Sequence, residues 1–516
     1  MAGGGFSNDT QGNNLTLGLL TILGLFIFYP IAATVYNLCF HPLAGFPGPP
    51  LWKASRVPYI ISLLRGNLVK DQLEIHRKYG DVVRLAPNEI SFTKEEAWQD
   101  IYVKRPGHQN PTKDPVWYKA PDSMPENIVT AIDSTLHSRF RKLLGNSFTE
   151  KALCSQTPLI ESYADLLINR LRSLPQNSED GLPGVVVNFV DWMSWFTFDI
   201  IGEPALGESF DCLKDSKYHP WVETLNNFLK GMVYAASTRW YPGLETLMFK
   251  LLPKRVMEMQ RQHSNFANEK INQRLNLETN KPDFVTPFME DNADFRKISL
   301  RETQSNLAIL IVAGADATAT ALSGILLYLV QNQEALATLT SEIRNSFLNE
   351  EDISIAATNK LIFLNSVLME GLRLTNPVPG GLPRIVPEGS DTYAGIFIPA
   401  RTTISVRPYT MSRSKIYFAE PNSFVPERWL PQGIRPTKFD GDRLGVSNPF
   451  SIGHSNCLGK NLAMAEMRIV IARILWAFDL HEHGKRLDWT SLKTLMIIQK
   501  QPVQIKLTIR KSSIRV

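Results

Sequence analysis

The stretch LAILIVAGADATATALSGILLYLV, Leu307 to Val330, carries a single charge, Asp316. Ser299 followed by Glu302 reads as a capping box, so a helix of about 30 residues, roughly 45 Å at 1.5 Å per residue, starts there. A helix that is apolar on every face needs cover on every face, from lipid or from protein. A bilayer would place Asp316 near its centre at about 2.5–3.5 kcal/mol on insertion scales, and would carry the C-terminal half of the chain across the membrane. A large protein core asks only for a partner to the aspartate. The core reading is the simpler one, and it requires the other elements to wrap a single long helix.

The surrounding patterns fit that plan. Val69, Leu73 and His76 recur at helical spacing up to Gly80, and DVVRLAPNEISF then alternates like a short hairpin. Most of the region from Asn127 to Asn349 lacks strand signals and reads as helices. Short strands return between Ser390 and Val406, and Val503, Ile505, Leu507 and Ile509 alternate with polar residues as a final strand. No repeat, low-complexity tract or interdomain linker follows residue 50. Residues 51–516 therefore read as one large domain, mainly α with small β-sheets, although the length would suit three domains.

Composition narrows the partners. A net charge of +5 over 516 residues, with no basic block interleaved with aromatics, gives no reason to expect nucleic acid. It suits an acidic protein face or a membrane surface. Cys39, Cys154, Cys212 and Cys457 lie far apart without a CxxC pair, which argues against a disulfide scaffold or zinc ribbon and for a reducing compartment.

Between Thr10 and Trp52 there is no Asp, Glu, Lys or Arg. Within that region residues 15–35 are long enough to cross a bilayer at about 20 residues, and they lack the basic start and short apolar run of a cleaved signal peptide. The expected layout is a lumenal N-terminus over residues 1–14, an anchor over 15–35 and a cytosolic bulk, because Lys53, Arg56 and Arg65 follow the span and no cation precedes it. Asn8 and Asn14 then stand in lumenal glycosylation sequons, a short pattern that chance explains equally well. Residues 36–50 contain Pro42, Pro47, Pro49 and Pro50 with Gly45 and Gly48, the makings of a stiff elbow.

Near the other end, NPFSIGHSNCLGKNLA sets Cys457 between Gly453 and Gly459 ahead of a helix-forming run. A phosphate loop does not fit, since Leu458 stands at the second glycine position and Asn461 replaces Ser/Thr. A buried thiol is the ordinary reading of a lone cysteine. Here the flanking glycines allow close approach to a flat partner, and a helix N-terminus favours a thiolate. No histidine arrangement activates it as a hydrolase nucleophile, so a metal ligand is the better reading, with thiolate-held haem iron as the known precedent.

Two patterns upstream support it. Glu370-Gly-Leu-Arg373 and the PERW run at Pro426–Trp429 can bring Glu370, Arg373 and Arg428 into one buried charge network ahead of the cysteine loop. The ordered set E-x-x-R, P-E-R-W and F-S-x-G-x-x-x-C-x-G, with A-G-x-D on the long helix before it, resembles the cytochrome P450 family of membrane-anchored haem-thiolate monooxygenases. FHPLAGFPGPP, WFTFDIIGEPALGESF and NPVPGGLPRIVPEG also resemble its filamentous-fungal members that tailor secondary metabolites.

The resemblance implies the cytochrome P450 fold and haem b, with Cys457 as axial iron ligand and Phe450 packed near its sulfur. His137 and Arg141 in LHSRFRKLL, and Arg384 in LPRIVP, are the implied propionate partners, as two buried carboxylates need cationic donors. A solvated helix face is the other reading of His137 and Arg141. The implied activity is oxidation of a hydrophobic small molecule with O2 and NADPH-derived electrons, at the endoplasmic reticulum membrane. No G-x-G-x-x-G fingerprint or flavin domain is seen, so a separate NADPH-cytochrome P450 reductase, with cytochrome b5 as an optional donor, is the implied partner.

Two positions depart from the family pattern. Where a basic residue usually precedes the cysteine this chain has Ser455, with His454 beside it as the implied substitute for one propionate contact. On the long helix the family has an acid followed by threonine, the pair that manages protons, whereas Asp316 is followed by Ala317 and only then by Thr318. Thr318 reaches the site only if the helix is distorted near Gly314; otherwise a water or a substrate hydroxyl must act. The same change leaves open a second outcome, rearrangement, ring expansion or desaturation in place of hydroxylation.

Overall fold

The computed structural model describes residues 24, 28–120, 124–176, 183–251, 253–276 and 283–510. The helices that position the site are α1 (Ser134–Gly145), α2 (Phe189–Leu206), α3 (Leu300–Gln331), α4 (Ile362–Thr375) and α5 (Lys460–Ala477).

The long helix is α3. Its capping box is formed: Ser299 Oγ accepts from the Glu302 N–H at 3.3 Å, and Glu302 Oε2 accepts from the Ser299 N–H at 2.8 Å. Of its most apolar window, 72% is buried in protein, which decides for the core against the bilayer. α2 lies along it, buried on almost every face. Gly314 makes that contact possible, because a Cβ there would stand 2.7 Å from Ile201 Cδ1. α4 crosses α3 just as closely, and a Cβ on Gly371 would be 2.2 Å from Ile325 Cγ1. Such approaches leave no room for a methyl group in an interior packed to crystal density.

Small sheets flank the helices. One has the order β1-β2-β8-β5-β3, from β1 (Val82–Ala86), β2 (Glu89–Phe92), β3 (Thr112–Lys113), β5 (Arg384–Ile385) and β8 (Thr403–Val406), with only β2 and β8 parallel. The hairpin read from DVVRLAPNEISF is β1 and β2, with Val82 opposite Phe92. A second sheet sets β10 (Gln504–Ile509) between β4 (Val185–Asn188) and β9 (Phe478–Glu482), and β6 (Asp391–Tyr393) pairs with β7 (Ile396–Ile398). β4 falls in the region read as helical. Its unbroken valines have no alternation to distinguish them from a buried helix, and only pairing with β10 makes them a strand.

Of the expected anchor, residues 15–23 and 25–27 lie outside the described residues, as do both sequons. Phe28–Phe40 is an apolar helix with Phe28, Tyr29 and Phe40 exposed. The elbow after it is sealed onto the first sheet. Arg84, fully buried, donates to the carbonyls of Asn37 at 2.7 Å and Leu43 at 3.2 Å, and its own N–H donates to Pro47 O at 2.8 Å.

Candidate functional site

The cysteine loop follows a meander that α4 straps down. Glu370 accepts from Arg373 Nε and Nη2, both at 2.7 Å, from Arg428 Nε at 3.2 Å, from Trp429 Nε1 at 2.9 Å and from the Val425 N–H at 2.8 Å. Glu370, Arg373 and Arg428 are fully buried. Arg373 continues to Pro421 O at 2.7 Å and Arg428 to Asp442. Burial alone would push the Glu370 carboxyl up; the two guanidiniums and the Trp429 N–H outweigh it and hold the group below its usual range. The three residues singled out by sequence are thus one network, and it ties residues 421–442 to α4 just before the loop begins.

Within the loop the Cys457 N–H donates to Phe450 O at 2.8 Å, and the Phe450 ring packs half-buried against the core. Gly453 has φ +75°, and a Cβ there would stand 2.0 Å from the Tyr102 carbonyl oxygen. Gly453 thus makes way for the chain's own backbone in a tight turn, while a Cβ on Gly459 would meet nothing nearer than Phe148 Cε1 at 4.0 Å. Cys457 keeps open surface, yet burial pushes its thiol up, against the pull of the Gly459 N–H, Arg141 and Lys460. On α3, Ala313 is likewise exposed in mid-helix with Ala317 half-covered.

Beside the loop stands a group of basic side chains. α1 carries His137 and Arg141 one turn apart. Arg141 grips the carbonyl and side-chain oxygens of Asn456, the residue before Cys457. His137 meets the His454 ring edge-on, centroids 5.6 Å apart, and its buried Nδ1 has no hydrogen-bond partner. Arg384, buried on β5, donates to Pro383 O at 3.0 Å. Opposite it on β3 is Lys113, which donates to Ile128 O at 2.9 Å and Val129 O at 2.8 Å. Burial and then the neighbouring cations push His137 down to about 3 and Lys113 to about 7, and they lower His454 as well. Among the described residues none of the five forms an ion pair with a carboxylate. Lys113 was invisible in the sequence, because only the pairing of β3 with β5 brings it beside Arg384.

A cavity of about 1620 Å³ opens along α3 at Ala308, Ile309 and Val312. Its walls include Trp117, Met124, Met232 and Thr246, together with the C-terminal Thr494 and Met496. Asp316 pairs with Lys500 Nζ at 2.6 Å, both nearly buried. Thr318 does not share the open flank of α3. It lies one turn after Gly314, on the side packed against α2, and the helix runs unbroken through Gly314, so the distortion that would bring Thr318 round is missing.

The family model for cytochrome P450 matches residues 47–508. The chain belongs to the cytochrome P450 family. Cytochrome P450 monooxygenase lcsI of Purpureocillium lilacinum is 37% identical over 499 residues, covering 96% of this chain and 95% of that one. Averantin hydroxylase of Dothistroma septosporum is 35% identical over 490 residues, with 94% and 90% covered. Versicolorin B desaturase of Aspergillus parasiticus is 37% identical over 469 residues, with 89% and 91% covered. This cytochrome P450 is therefore an oxidoreductase of the monooxygenase type, allied to fungal enzymes of secondary metabolism, with a haem-iron cofactor, a redox partner and a small-molecule substrate. Its residues suit a haem: the basic groups that form no ion pair with a carboxylate among the described residues, and the orphaned His137 Nδ1, ask for anions, and propionates are such anions.

Proposed function

We propose that residues 51–516 hold haem b through Cys457, with Phe450 packed beside the sulfur and His137, Arg141, Arg384 and His454 toward the propionates. Lys113 joins them. The observation that carries this reading is the cluster of five basic groups beside the cysteine loop, three of them (His137, Arg384 and Lys113) buried and none ion-paired with a carboxylate among the described residues. When bound, thiolate-ligated haem iron supplies the activation of O2 by two electrons delivered from outside. The protein's part is to keep the cysteine loop in one geometry, which the Glu370 network does, and to shape an apolar cavity large enough for a bulky hydrophobic substrate. NADPH-cytochrome P450 reductase is the electron donor, with cytochrome b5 as an optional one. The anchor over residues 15–35 holds the domain on the cytosolic face of the endoplasmic reticulum, with the sequons at Asn8 and Asn14 in the lumen.

Protons must reach the site without the usual threonine. Asp316 offers one oxygen to Lys500, and its buried Oδ2 has no protein partner. That free oxygen suits a water or a substrate hydroxyl, with Thr318 left out. Ala317 and the desaturase among the relatives favour a second outcome, desaturation, on the same site.

The metabolite that accumulates when the gene is inactivated should be oxidised by membranes carrying the protein, reductase and NADPH. Under labelled O2 one labelled oxygen in the product supports hydroxylation; an unsaturated, unlabelled product supports desaturation; no NADPH-dependent change contradicts both. Ala317→Thr, which restores a hydroxyl on the open flank of α3, is expected to raise the product formed per NADPH consumed.

A further inference from the structure

Lys500 has no counterpart among the residues assigned above. It ends a tight hairpin in which Thr494 and Ile498 form a β-bridge, the Gln499 N–H donates to Lys493 O at 2.8 Å and the Leu495 N–H to Ile497 O at 3.0 Å. Two residues of this hairpin, Thr494 and Met496, line the cavity. One side is tied to the N-terminal part of the domain, where the Thr494 N–H donates to Gly66 O at 2.8 Å. The other side ends at Lys500, whose Nζ reaches Asp316 Oδ1 at 2.6 Å and Thr320 Oγ1 at 3.2 Å on α3. Thr320 in turn donates to Asp316 O at 2.7 Å. The lysine and aspartate side chains are 10% and 9% exposed. An ion pair so buried holds strongly against loss of one partner, since the survivor is left as an uncompensated charge.

We propose that Lys500 is a positioning residue for substrate: its pairing with Asp316 fastens the hairpin 493–499 to the central helix and sets how Thr494 and Met496 close on a bulky ligand. One ion pair would then govern both the orientation of the Asp316 carboxylate and the wall of the cavity. The inference deepens the haem-thiolate reading and rests on it for the ligand measurement below, though not for the exchange measurement.

The test uses the full-length haem-loaded protein with Lys500→Met, Lys500→Arg and Asp316→Asn. Amide hydrogen exchange over residues 494–499 should quicken about tenfold in Lys500→Met and in Asp316→Asn, and return toward wild type in Lys500→Arg. Ligand grip is read from the Soret shift with two iron-binding azoles, clotrimazole, which fills the cavity, and imidazole, which touches little beyond the iron. Lys500→Met should weaken clotrimazole about tenfold, leave imidazole within about twofold, and be rescued by Lys500→Arg. Unchanged hairpin exchange in Asp316→Asn overturns the proposal even if Lys500→Met fails to fold, and so does an equal loss for both azoles. A carbon monoxide spectrum of the same wild-type sample judges the haem-thiolate reading separately, and the exchange result stands whatever that spectrum shows.

Discussion

Glu370 illustrates what one buried side chain does here. Five donors meet its carboxylate, and three of them belong to two arginines that also tie down the meander before Cys457. Removing the negative charge strands both guanidiniums, so Glu370→Gln should cost about 3–5 kcal/mol, read as a lowered melting temperature and loss of haem. The pH dependence follows from the direction of the shift. The folded carboxyl lies below its ordinary 4.5, so its contribution is complete above that value and is lost as pH falls through it toward the depressed folded value. Wild type should lose stability steeply in that acid range and Glu370→Gln less so. A variant as stable as wild type would show that the network holds nothing. This network was legible in the sequence because two of its members sit at i, i+3 on one helix and the third in a recognisable run. Lys113 and Lys500 were not, since each matters only through a partner that the folded chain brings from a distance.

At the scale of elements, α5 carries an acid that forms no ion pair among the described residues. Glu466 is buried, and burial alone pushes it up to about 8. A carboxyl whose folded value lies above its unfolded one destabilises the fold increasingly as pH rises between the two, and most above the upper one. Glu466→Gln should therefore stabilise the protein little near pH 5 and by up to a few kcal/mol above pH 8, at about 1.4 kcal/mol per pH unit. Melting curves of the two proteins across that range check it, and a pH-independent difference would mean that Glu466 keeps a counter-charge in solution. The same helices show where periodicity sufficed. α3 announced itself by its capping box and unbroken apolar run, and β1 with β2 by alternation. β4 had neither signal, and it was missed for that reason. Gly314, where a distortion would have been needed to bring Thr318 to the site, is a packing glycine against Ile201, a contact between helices far apart in sequence.

For the whole molecule, the single mainly α domain, its central helix and the cysteine loop were readable from pattern and motif order, and the family match over residues 47–508 agrees. What pattern could not supply was the convergence of separate elements: β3 and β5 with α1 around the basic cluster, and the C-terminal hairpin with α3 beside the cavity. Both arise from tertiary pairing that no local spacing encodes. The central claim is that Cys457 binds haem iron as a thiolate. The purified protein, reduced and exposed to carbon monoxide, tests it most directly. A strongly red-shifted Soret band that Cys457→Ser abolishes is the predicted result; a wild-type protein without that band, or a serine variant that keeps it, would contradict the account.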